Sequence, residues 1–93
     1  MINALRIHPE DSIVVALVEL APGTRVELAD APDLQIATRE AIPFGHKVAI
    51  KPIAQGQHVI KYGASIGLAT QKIVPGEHVH VHNLSSVRGA AQR

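Results

Sequence analysis

The sequence predicts an all-β domain of short, bent strands. Three observations carry the prediction. Ten valines and ten isoleucines give a β-branched bias that suits a pleated, half-buried backbone. Seven glycines and six prolines recur every few residues and leave little room for helices. The third is a short internal repeat: apolar residue, two variable residues, glycine, two variable residues, valine. It occurs at 20–26, 42–48, 53–59 and 73–79, with Gly23, Gly45, Gly56 and Gly76 at its centre. Glycine supplies the positive φ of a tight turn, and Pro22, Pro43 and Pro75 close by preset that turn. Val26, Val48, Val59 and Val79 then point into the core. The glycines lie 22, 11 and 20 residues apart, so these are recurring turn-strand units and not a solenoid of fixed period.

Strands are expected near 5–8, 13–18, 25–28, 34–38, 47–51, 58–61, 66–69 and 78–82. Residues 13–18, all apolar, form the longest such run. That is far short of the roughly 20 residues a membrane-spanning helix needs. "HPEDSI" reads as a turn. "ADAPDL" (29–34) reads as a polar loop with room for at most a short helical piece. "KYGASIG" (61–67) reads as the turn of a hairpin. The domain is expected to cover 1–84, with 85–93, "SSVRGAAQR", a small polar tail.

Ninety-three residues make one small domain with a modest core. The absence of cysteine excludes disulfides, a Cys₄ zinc module and a cysteine nucleophile, and fits a reducing compartment. The start, "MINALRIHPED", lacks the shape of a signal peptide, so a cytoplasmic protein is expected. Net charge is +1, and Phe44 and Tyr62 are the only aromatic residues. With no basic groove and no stacking platform, nucleic acid is not an expected partner, and neither is a membrane.

Three stretches could carry chemistry. "GEHVHVHN" places His78, His80 and His82 two apart, so on a strand they line one face. A His-x-His pair can offer two nitrogens to a borderline ion. The outer two Cβ atoms, four residues and so roughly 13 Å apart along such a strand, argue against three ligands on one ion. The alternative is an exposed, hydrogen-bonded histidine edge. "FGHKV" sets His46 and Lys47 directly after a turn glycine. These could act as a general base and an anion-binding lysine, or as an ordinary solvated turn. "VIKYG" offers Lys61 and Tyr62, either a carboxylate-binding and proton-supplying pair or a strand end with a snorkelling lysine.

Residues 42–83 resemble the N-terminal domain of altronate and galactarate dehydratases. The shared blocks are the Gly-His-Lys turn, the Lys-Tyr-Gly turn and an ending close to Gly-Glu-Trp-Val-His-x-His-Asn. Residues 1–41 resemble it more loosely. The likeness implies a compact β-clip domain of the SAF type. It also implies elimination of water from sugar acids with a divalent metal, iron(II) or manganese(II). Because the chain ends soon after the last block, it further resembles the separate small subunit of two-component members, including sulfolactate sulfo-lyase, which expels sulfite. That implies a large catalytic partner subunit that completes the metal site. The likeness carries over His46, Lys61 and Tyr62 as catalytic, Lys47 and Asn83 as substrate-binding, and His80 and His82 as metal ligands. His78 stands where the family often has tryptophan, which makes it the weakest ligand candidate. The rival expectation is a non-catalytic β-clip module that binds carbohydrate or assembles a larger protein; a homo-oligomer is left open.

Overall fold

A computed structural model describes residues 1–86. It contains seven short strands and no helix among those residues, as the composition predicts. They are β1 (Ala4–Leu5), β2 (Ile13–Ala16), β3 (Lys47–Ala49), β4 (His58–Lys61), β5 (Ala64–Ala69), β6 (His78–Val79) and β7 (Leu84–Ser86). They form two antiparallel sheets, one in the order β1-β2-β3-β6 and the other β4-β5-β7. This is the all-β architecture expected of a β-clip. With no long apolar helix, none of the described segments could cross a membrane as a helix.

The four repeats build four copies of one turn. Each closes with a backbone hydrogen bond from the residue after glycine to the residue two before it: Thr24 to Ala21, His46 to Pro43, Gln57 to Ala54 and Glu77 to Val74. Each central glycine has φ between 80° and 95°, which identifies a type II turn. The apolar residue that opens each repeat pairs with its counterpart. Leu20 bridges Ile42, and Ile53 bridges Ile73. The four valines that close the repeats are all buried, as expected.

The repeats therefore assemble in pairs around two cores. Leu20, Val26, Ile42 and Val48 belong to the first core, with Val14 and Leu28. Ile53, Val59, Ile73 and Val79 belong to the second, with Ile13 and Ala49. Each fully buried aliphatic side chain contributes about 1.5–3 kcal/mol of transfer free energy. The sheet containing β2 lies between the cores. Register sets Val14 opposite Val48 on one face and Ile13 opposite Ala49 on the other. That explains why β2 reads as a continuous apolar run and not an alternating one.

Several expected strands are shorter. Leu17 and Val18 are exposed beyond the end of β2. Segments 25–28 and 34–38 form no strand; they meet only at isolated bridges such as Arg25 with Ala37. There the Arg25 guanidinium donates to the Leu34 and Pro32 carbonyls, so the loop bonds to itself. Residues 29–34 form turns with no helical piece. Ser85 and Ser86, expected in the tail, pair with β5. Residues 87–93 of that tail lie outside the described residues.

Candidate functional site

The histidines meet where the two halves join. Gly45 turns the chain so that His46 precedes β3, and the His46 carbonyl accepts from Ala16 N at 2.9 Å. On the next strand β6 pairs with β3, Val48 opposite His78 and Lys47 opposite Val79. Continuing that register one step sets His46 across from His80. Val79, between His78 and His80 in sequence, is buried and anchors them. The His78 amide donates to Glu40 Oε2 at 3.1 Å.

Three imidazoles converge. His46 Nδ1 lies 2.8 Å from His78 Nε2, so one of the two rings must carry the shared proton. The rings of His46 and His80 stack at 4.9 Å, and those of His78 and His80 lie 8° from parallel. One nitrogen from each of His46, His78 and His80 lies within 4.8 Å of the others. His46 and His78 are half-buried and His80 is exposed, so the cluster opens outward. Burial, followed by the neighbouring His46, lowers the pKa of His78; Glu40 pulls it up, while His80 and His82 add to the lowering. A neutral imidazole is the form that binds a metal.

The donor set fits a divalent ion. Imidazole suits iron, zinc and neighbouring first-row ions. Metal–nitrogen bonds of about 2.1 Å place neighbouring ligand nitrogens roughly 3.0–3.4 Å apart, so small ring rotations would suffice. Three protein ligands with the remaining positions open is the pattern of a catalytic centre, not of a closed structural one.

This set differs in membership from the expected His80–His82 pair. The strand expected over 78–82 ends at Val79, and 81–83 form a turn. His82 is exposed on that turn, its ring tilted 41° to that of His78 and outside the convergent trio. His78, expected to be the weakest candidate, sits at the centre. His46, expected as a catalytic base, joins His78 by register across 32 residues of sequence. Asn83, expected at the substrate, is 1% exposed, and its amide is engaged by backbone at both ends.

Lys47 lies on the opposite face of β3 from Val48. It lines an open groove of about 290 Å³ with His80, Val81, Ile66 and Ser86, so His80 borders both groove and cluster. Lys61 and Tyr62 stand elsewhere. Tyr62 and Gly63, with φ of 56° and 75°, make the two-residue type I′ turn of the expected β4–β5 hairpin. The Lys61 ammonium lies 4.4 Å from the centre of the Tyr62 ring.

The hairpin tip is tied down by Asp11, a residue with no spacing signature in sequence. Asp11 accepts from Gly63 N at 2.8 Å and from His8 N at 3.1 Å. Burial pushes its carboxyl up, but the Gly63, Tyr62, His8 and Ile7 amides outweigh that and hold it below its ordinary value. Asp11 precedes β2, whereas His46 bonds Ala16 at its end. Five residues of extended chain separate these anchors, roughly 16 Å at about 3.3 Å per residue. The two groups of candidate residues share no contact among the bonds described.

Such a fold and site define a small β-clip domain that presents a histidine cluster on its surface. The chain belongs to the family of altronate/galactarate dehydratase SAF domains, which it matches over residues 2–87. It is 46% identical over 80 residues to the altronate dehydratase of Escherichia coli, covering 85% of this chain and 15% of that protein. It is 40% identical over 63 residues to the (2R)-sulfolactate sulfo-lyase subunit alpha of Paracoccus pantotrophus, covering 68% of this chain and 94% of that subunit. A 51% identity over 55 residues links it to the corresponding subunit of Chromohalobacter salexigens, covering 58% of that subunit. The chain thus spans about a sixth of the altronate dehydratases and nearly the whole length of one sulfo-lyase subunit.

Proposed function

We propose that this chain is the small subunit, or N-terminal-type domain, of a cytoplasmic lyase that performs α,β-elimination on an acidic substrate. The substrate is a sugar acid such as altronate or galactarate, or sulfolactate. The observation that carries this reading is the outward-facing trio His46, His78 and His80, set in a domain nearly coextensive with a sulfo-lyase subunit. A large dehydratase-like subunit supplies the remainder, since among the described residues Glu40 is the one carboxylate bonded to the cluster, and it is occupied by the His78 amide.

In such a reaction a proton leaves the carbon beside the carboxylate, and hydroxide or sulfite departs from the next carbon. A divalent ion, iron(II) or manganese(II), would supply a Lewis acid for the carboxylate or the leaving group. This chain's residues do the rest of what falls to it. His46, His78 and His80 would hold the ion, with His46 a ligand and not a base because its Nδ1 already faces His78. Lys47, beside His80 in the groove, would neutralise charge that grows on the substrate's carboxylate. Lys61 and Tyr62 touch none of these groups and take no step in this reading.

The test is co-expression with a large dehydratase-like subunit, followed by assay of elimination from altronate, galactarate and (2R)-sulfolactate with iron(II) or manganese(II). The expected result is turnover of one of them by the complex and none by the isolated chain. A complex that forms yet turns over none of the three would instead favour a non-catalytic carbohydrate-binding or assembly module.

A further inference from the structure

We propose that Asn83 is a positioning residue that fixes the spacing of the His78 and His80 ligand nitrogens. The inference rests on reading the histidine cluster as a metal site. All four polar groups of Asn83 are engaged. Its Oδ1 accepts from His80 N at 2.9 Å, and its Nδ2 donates to His78 O at 2.9 Å. Its own amide donates to His80 O, and its carbonyl accepts from Thr70 N, both at 3.0 Å. At 1% exposure it presents no surface to a substrate.

The bonds fall on the two residues that matter. The side chain bridges the carbonyl of His78 and the amide of His80, the backbone groups on either side of buried Val79. His78 has other supports: pairing with Val48, and the Glu40 carboxylate on its amide. His80 lies past the end of β6, exposed, with no ladder partner. Among the described residues, the Asn83 clamp and ring stacking are what hold it against His46 and His78. A short amide that satisfies its own local backbone competes with the strand ladder, which is why β6 stops here and the chain bends. Ligands held in place by an outer shell bind metal more tightly, and losing one such partner costs about 10–100-fold in affinity.

The test is titration of the full chain with cobalt(II), read by its visible absorption bands, for the wild type, Asn83→Ala and Asn83→Ser. Circular dichroism establishes which variants fold. The wild type is expected to bind one cobalt(II). Asn83→Ala should bind about 10–100-fold more weakly, with altered bands. Asn83→Ser, whose hydroxyl can accept from His80 N but cannot also reach His78 O, should fold and fall between them. A purely architectural asparagine would lower the melting temperature without changing the affinity or bands of the folded protein. Wild-type affinity and bands in either folded variant therefore overturn the proposal; if Asn83→Ala fails to fold, Asn83→Ser decides. A wild-type chain that binds no cobalt(II) sinks the metal reading itself, and the clamp with it.

Discussion

In three of the four glycine turns, the side chain after the glycine closes its own turn; in the fourth it leaves. Thr24 Oγ1 donates to Ala21 O at 2.6 Å. Gln57 Oε1 accepts from Ala54 N at 2.8 Å, and Glu77 Oε1 from Val74 N at 2.7 Å. His46 occupies the same position but bonds across the sheet to His78. Its turn still closes, because the backbone bond from His46 N to Pro43 O is present. The side chain at this position is thus spare as far as the turn is concerned. Chemistry can be set there at little cost to folding. The turns at 43–46 and 74–77 come from different halves of the molecule and meet at the β3–β6 pairing, so the site stands at their junction. The turns at 21–24 and 54–57 carry the same architecture without it.

The largest effect should come from breaking the shared architecture. Ile42→Ala and Ile73→Ala each remove a fully buried side chain at equivalent places in the two cores. Each should cost about 2–5 kcal/mol in urea unfolding. If only one of the two proved costly, the equivalence of the halves would fail.

Next comes the difference between the halves. His46→Ala should lower activity of the assembled enzyme more than 100-fold, beyond the about 10–100-fold range for losing an outer-shell partner. Stability should change by less than about 1 kcal/mol, since the turn keeps its backbone bond. A large stability loss with activity retained would reverse the assignment.

Asp11→Asn should destabilise by about 1–3 kcal/mol, because the Gly63 and His8 amides lose a charged acceptor. The pH dependence has a definite sign. A carboxyl held below its ordinary value in the folded state contributes stability above the unfolded pKa of about 3.9, lost as pH falls through the lower folded value. Melts below pH 4 should therefore converge for the wild type and the variant, while melts at pH 7 stay apart.

Gly23→Ala should cost about 1–2 kcal/mol from its φ of 81° alone, because an added Cβ meets open space. Gly76→Ala should cost more, since its Cβ would collide with the Ala37 carbonyl. The smallest effect is expected for Gln57→Ala, which removes one exposed bond and should cost about 1 kcal/mol or less, with activity unchanged.

The turns were legible in sequence because they depend on local chemistry. A glycine at a fixed offset, an apolar residue before it and a valine after it report φ and facing without reference to the rest of the chain. The family likeness rested partly on two of these turns, Gly-His-Lys at 45–47 and Gly-Glu at 76–77. The membership of the site was only half legible. His46, His80 and the His-x-His spacing could be read, but the union of His46 with His78 depends on the register Val48–His78, a long-range fact. The end of β6 was also hidden. Alternation argued for a strand through 82, while the buried Asn83 amide pulled the backbone into a turn. Segments 25–28 and 34–38 misled for a similar reason, since Arg25 bonds the neighbouring loop carbonyls and pairing stays sporadic.

The central claim is that His46, His78 and His80 form one binding unit drawn from both halves. The most direct measurement is anomalous diffraction from crystals of the chain grown with cobalt(II) or manganese(II). One peak is expected about 2.1 Å from a nitrogen of each of the three rings. A peak held by His80 and His82 without His46, or no peak at the cluster at full metal loading, would contradict the account.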